Sequence, residues 1–136
     1  MRYAHYSLPA LIVLCSAIGC GGGSGPATYP VSGTVSMDGE PIPKGQIVLR
    51  DPEGTIVSAG GTIIDGEFSF ESQPGSKQVE IIARREVPGK FQAPNPGEEK
   101  FPVLEQYIPK RYNTESELTK EVVAGDNEFH FKLTSN

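Results

Sequence analysis

Short runs of alternating apolar and polar residues, cut at close intervals by Asp-Gly and Pro-Gly pairs, leave this chain few folds to choose from. Val31, Gly33, Val35 and Met37 take every second position, with Ser32, Thr34 and Ser36 between them. A period of two puts the first set on one face of a strand and the second on the other. Asp38-Gly39 then offers the positive φ that a tight hairpin needs. Pro41 and Pro43 keep the following segment extended. Gln46 to Arg50 repeats the alternation, with Ile47 and Leu49 set against Val48, and Asp51-Pro52-Glu53-Gly54 turns the chain. Thr55 to Ile64 reads as a third strand, in which Gly60-Gly61 signals a bulge or a close backbone approach.

After a second hairpin pair, Asp65-Gly66, the run Glu67 to Glu71 places Phe68 and Phe70 on one face. Pro74-Gly75 turns again into Ser76 to Arg84, where Val79, Ile81 and Ala83 fall in register. Leu118 to Val123 and Asn127 to Leu133 close the series, the last with Phe129, Phe131 and Leu133 alternating against Glu128, His130 and Lys132. No window holds a sustained 3.6-residue apolar period, so little helix is expected. Seven short strands in one domain over residues 29–134 predict an all-β sandwich. Phe68, Phe70, Phe129 and Phe131 should supply the bulk of its core. At mid-strand, Gly33 leaves room for a neighbour to approach.

One segment breaks the pattern. Residues 85–114 carry Pro88, Pro94, Pro96, Pro102 and Pro109 with no regular spacing, and read as a long irregular insert. Arg84, Arg85, Lys90, Lys100, Lys110 and Arg111 lie in or beside it, together with Phe91, Phe101, Tyr107 and Tyr112. Two readings stand. The insert is a solvated excursion pinned to the sandwich by Tyr107, Ile108 and Tyr112. Alternatively it grips a glycan or a peptide, with Arg85, Lys90, Phe91, Phe101, Lys110 and Arg111 as the contacts.

Composition removes whole classes of activity. With 12 basic against 17 acidic residues the net charge is −5, the wrong sign for nucleic-acid binding. Two Cys cannot form a zinc-thiolate site or a multi-disulfide scaffold. No Ser sits in a nucleophile elbow, and no phosphate loop, dinucleotide fingerprint or His-Glu-x-x-His motif is present. Asp38, Asp51, Asp65 and Asp126 all fall in turns, where Asp side chains serve the backbone. His130 alternates with two Phe and should face solvent. No catalytic residue, metal site or cofactor is expected, and the chain reads as a non-enzyme.

The first residues tell a different story. Arg2 precedes an eleven-residue apolar run, Leu8 to Ile18. A spanning helix needs about 20 apolar residues, so this run has the size of a signal-peptide core. Ala17-Ile18-Gly19-Cys20 follows and resembles the lipobox of bacterial lipoproteins, although Ala17 stands where that family more often has Leu. Cys15 is the rival, but bulky Leu14 precedes it where the peptidase wants a small residue. The resemblance implies cleavage between Gly19 and Cys20, and diacylglycerol and acyl chains, palmitate among them, on Cys20. Several acyl chains anchor a protein stably where one does not.

Residues 1–19 are thus read as signal peptide, and residues 20–28 as lipidated Cys and flexible tether, from the run Gly21-Gly22-Gly23-Ser24-Gly25-Pro26. Removing residues 1–19 takes away Arg2 and no acid, leaving 117 residues with a net charge of −6. Gly21 follows the lipidated Cys where Asp would, by the same resemblance, mark inner-membrane retention. The expected place is therefore the cell envelope, lipid-anchored to the outer membrane. The partners implied are that membrane and an envelope protein or glycan.

The domain itself carries a second resemblance. Val31-Ser32-Gly33-Thr34-Val35, Asp38-Gly39-Glu40-Pro41-Ile42-Pro43, Gly45 with Ile47-Val48-Leu49, and Asp65-Gly66-Glu67-Phe68-Ser69-Phe70 before Pro74-Gly75 are similar to carboxypeptidase regulatory-like domains. Ile108 to Asn113, with Leu118-Thr119 to Phe131, is similar to small bacterial lipoproteins that carry this domain. The resemblance implies a transthyretin-like, seven-stranded sandwich acting as an accessory, adhesive or spacer module.

Overall fold

A computed structural model describes residues 25–136. The expected signal peptide, with Gly19 and Cys20, and most of the expected tether lie outside the described residues. Ten strands form: β1 (Tyr29–Met37), β2 (Glu40–Pro41), β3 (Lys44–Arg50), β4 (Ala59–Ile64), β5 (Glu67–Ser72), β6 (Gly75–Ile82), β7 (Arg84–Gln92), β8 (Phe101–Gln106), β9 (Thr119–Val122) and β10 (Asn127–Leu133). Among the described residues the only helical piece is a 3-10 turn over Lys110–Tyr112.

The fold is all-β and sandwich-like. Hydrogen bonding runs in the order β10-β1-β5-β4-β3-β6-β9, with β2 paired to β1. The path bends sharply at the Asp65-Gly66 turn, because β4 and β5 pair only at Ile64 and Glu67. Strands β10, β1 and β5 form one half, and β4, β3, β6 and β9 the other. The halves enclose one core that includes Val31, Val35, Ile47, Leu49, Ile63, Phe68, Val79, Ile81, Phe131 and Leu133. Each of these holds an inward position of its strand, as the alternation predicts. Of the four expected core rings, Phe68 and Phe131 are buried, with centroids 6.2 Å apart. Phe70 and Phe129 pack half-buried against them.

Both Asp-Gly pairs form the turns they signal. Asp38 and Asp65 sit at positive φ (51° and 50°), and each is followed by a positive-φ Gly. Strand β1 pairs in parallel with β10, Gly33 opposite Phe129. A Cβ on Gly33 would lie 1.7 Å from the Phe129 carbonyl oxygen, so this position admits no side chain. The parallel pair joins the first and last strands, which a long intervening chain permits and a hairpin does not.

Three expectations change. The strand expected over 55–64 begins only at Ala59. Asp51 ties down the residues before it, accepting hydrogen bonds from the Thr55 amide (2.7 Å), the Thr55 hydroxyl (2.7 Å) and the Ile56 amide (2.9 Å). The strand expected over 76–84 ends at Ile82, and a new strand starts at Arg84. The third change is the insert. Residues 84–92 and 101–106 are not irregular: β7 and β8 pair into a two-stranded antiparallel ribbon. Its register slips between Glu86 and Phe91, where Pro88 and Gly89 interrupt β7. Proline has no N–H to give to a ladder, and four residues of β7, Val87 to Lys90, here stand against one of β8, Val103.

Candidate functional site

The ribbon leaves the sandwich at one particular end. Strand β6 runs toward the end that carries the Asp38-Gly39 and Asp65-Gly66 turns, and the chain passes from it into β7 through buried Ala83. Gln106 at the close of β8 accepts the Ala83 N–H at 3.0 Å, and the Tyr107 N–H bonds the Ala83 carbonyl. Beyond β8, Ile108 is buried in the core and Tyr107 and Tyr112 pack against it. Asn113 holds the 3-10 turn by donating to the Ile108 and Pro109 carbonyls, both at 3.1 Å.

The two faces of the ribbon make two grooves with the sandwich. On one side, a cavity of about 610 Å³ is lined by Lys44, Gly45, Gln46, Thr62, Ile82, Ala83, Arg84, Glu86 and Leu104. On the other, one of about 510 Å³ is lined by Pro41, Ile42, Pro43, Asp38, Arg85, Glu105, Tyr107 and Ser135, among others. Both lie in the size range of ligand sites.

The second groove is largely self-satisfied. Arg85 Nε pairs with Glu105 Oε1 at 2.8 Å, and its guanidinium lies 5.4 Å over the Tyr107 ring. Burial pushes the Tyr107 phenol up from its ordinary pKa, against the pull of Arg85. Asp38 accepts the Ser135 N–H at 2.9 Å, and that bond holds its carboxyl below the usual range.

The six residues expected as contacts do not converge. Arg85 lies at the base of the ribbon in its ion pair. Lys90 and Phe91 lie in the outer part of β7, and Phe101 opens β8 opposite Gln92. Phe91 and Phe101 are 60% and 52% exposed, but neighbouring register positions point them to opposite faces of the ribbon. Lys110 and Arg111 belong to the 3-10 turn. Arg111 lies 4.8 Å over the Tyr112 ring and donates to the backbone oxygens of Thr134 and Asn136, so it fastens the segment after β10. The groove that does gather unpaired polar groups draws instead on Lys44, Gln46 and Thr62. These are outward positions of β3 and β4, whose inward residues Ile47, Leu49 and Ile63 form the core. Their signal in the sequence is the polar half of the same alternation.

Other expected positions are as follows. His130 is exposed, with Thr34 Oγ1 at 2.9 Å from Nδ1 and Glu128 at 3.2 Å from Nε2. Asp51 is held near a pKa of about 2, first by the Thr55 hydroxyl and further by the loop amides around it. Among the described residues no group of three or more His, Cys, Asp or Glu could hold a metal ion.

No family model and no curated protein matches the chain. Among solved structures it is similar to the dioxygenase domain of a dioxygenase carbohydrate-binding protein fusion from the cellulolytic bacterium Streptomyces sp. SirexAA-E. The identity is 17%, 82% of each chain is covered and the TM-score is 0.37, a likeness too loose to bear on activity.

Proposed function

We propose that this chain is a cell-envelope lipoprotein, anchored through acylated Cys20 to the outer membrane, whose transthyretin-like sandwich works as a non-catalytic binding or structural module. The observation that carries the reading is a polarity of the fold. The chain enters β1 at Tyr29, at the end of the sandwich opposite the Asp38-Gly39 turn, and the ribbon stands at the Asp38-Gly39 end. Nine residues of strand separate the two ends by roughly 27 Å. A tether through residues 21–28 would hold the Tyr29 end toward a membrane and turn the ribbon away from it. The signal-peptide pattern and the lipobox resemblance supply the anchor, and the absence of any catalytic motif in the sequence favours binding over chemistry.

Labelling with a palmitate analogue in cells tests the anchor. Wild type should label and partition with membranes, and Cys20→Ala should do neither. Equal labelling of the two proteins defeats the reading. A second reading is favoured by the exposed Phe91 and Leu104, which the pairing sets on one face of the ribbon: the module binds a glycan or a peptide there.

A further inference from the structure

We propose that the groove between the ribbon and the outer face of β3, β4 and β6 binds an extended peptide segment of a partner protein in which carboxylates and aliphatic side chains alternate along one face. The inference rests on the binding-module reading and names the ligand class that such a module would take.

The outer face is laid out by register. Thr62, Gln46 and Ile82 form one row across β4, β3 and β6, and Ile64 and Lys44 begin the next. Lys44, on β3, and Arg84, at the start of the ribbon, both line the groove, so two cations border one cavity. An anion in the groove would be attracted by both. Among the described residues three ion pairs form, and neither Lys44 nor Arg84 is in any of them. The groove holds one acid, Glu86, against these two cations. It is locally positive in a chain whose net charge is −5, so an acidic ligand is drawn to it rather than to the surface at large.

The remaining walls specify more than charge. Ile82, Ala83 and Leu104 provide an aliphatic floor, and Leu104 and Ile64 are 55% and 61% exposed. Gln46 and Thr62 offer neutral hydrogen-bonding groups. Successive rows on a sheet face lie about 6.8 Å apart, which is also the repeat of same-face side chains in an extended peptide. A carboxylate held by Lys44 and Arg84 would therefore set a same-face neighbour two residues away over the Ile82 row. No aromatic ring lines this groove, so the flat platform on which sugar rings stack is missing. Strand addition to the ribbon is disfavoured, because Pro88 in β7 and Pro102 in β8 interrupt its edges. Side chains, then, rather than ladder hydrogen bonds, carry the recognition.

The test is fluorescence polarisation with the full chain in detergent and a fluorescein-labelled hexapeptide, Glu-Ser-Leu-Ser-Glu-Ser, whose Glu and Leu side chains share one face when it is extended. Lys44 and Arg84 are both exposed, so Lys44→Glu and Arg84→Glu leave the core untouched. Each should weaken binding by about tenfold or more, and a peptide with Gln in place of Glu should bind as weakly. Lys90→Glu, outside the groove, should bind as wild type does. Cys20→Ala should also bind as wild type does, so a failed anchor and a failed groove are read separately. Undiminished binding by both groove variants would overturn the proposal, as would no binding of the peptide by wild type. Binding of polygalacturonate but not of the peptide, lost in the same two variants, would also overturn it by making the occupant an acidic glycan.

Discussion

Strands β6 and β7 follow one another in the chain and share a backbone conformation, yet they live under opposite conditions. From Lys77 to Ile81, β6 buries every second residue, and Lys77, Val79 and Ile81 are each at most 2% exposed. In β7 every position but Val87 is exposed. The sandwich is held by what its strands bury. The ribbon is held by backbone pairing, by Gln106 and Tyr107 at its base and by one ion pair. An isolated pair of strands is marginal in water, so the docking of Ile108 and Tyr107 into the sandwich is what lets the ribbon persist.

The sharpest way to break this comparison is one truncation made in both regions. Phe68→Ala empties a site that is 4% exposed and touches Phe131 and Phe70. It should cost about 3–5 kcal/mol in urea unfolding. Phe91→Ala removes the same atoms from a ring that is 60% exposed and should change stability by no more than about 0.5 kcal/mol. A comparable loss at Phe91 would mean that the ribbon folds around a core of its own.

The same contrast explains what could be read in advance. Alternation records burial on one face, so β1, β3, β5, β6 and β10 and their inward residues were foreseeable from residue order. The two Asp-Gly turns were as well, since few pairs accept positive φ so readily. The ribbon was not, because a strand wet on both faces has no reason to alternate, and prolines in both of its strands argued against pairing. The parallel match of β1 with β10 was also hidden, since it joins residues nearly a hundred positions apart. So were the polar clasps. Asn127, 5% exposed, accepts from the Val123 N–H and donates to the carbonyls of Pro30, Val123 and Gly125. Buried Ser116 donates to the Val79 carbonyl. Such residues look like ordinary loop residues until the backbone around them is known. For the groove, Lys44 and Gln46 were visible as outward positions, but only the ribbon's placement makes them walls of anything.

At the end of the sandwich away from the ribbon, the loop after β3 is ordered by one carboxylate. Asp51 titrates at about 2 in the fold against an ordinary value of 3.8. A group whose pKa is lowered on folding stabilises the fold above its ordinary pKa and loses that contribution as pH falls through the folded value. The stabilisation should therefore be complete above about pH 4 and fade toward pH 2. At neutral pH, Asp51→Asn should melt a few degrees below wild type, and the gap should close across that window. Melting curves at stepped pH decide it. A gap that stays constant down to pH 2 would show that the loop does not depend on the charge.

The smallest expected effect is the ribbon's own ion pair, and it tests the comparison from the other side. Arg85 and Glu105 are 65% and 45% exposed, and their 2.8 Å contact is screened by the water around them. Pairs of this kind contribute roughly 0.2–1 kcal/mol, and the stacking of Arg85 on Tyr107 adds a similar amount. A double-mutant cycle with Arg85→Ala and Glu105→Ala should give a coupling below about 1 kcal/mol that shrinks at about 0.5 M salt. Arg85→Ala alone should cost slightly more than Glu105→Ala, because only it removes the stacking as well as the pair. A coupling above about 2 kcal/mol, unmoved by salt, would place the pair in a dry environment. The ribbon would then be a second packed unit rather than an exposed arm, and the two grooves at its base would be fixed walls.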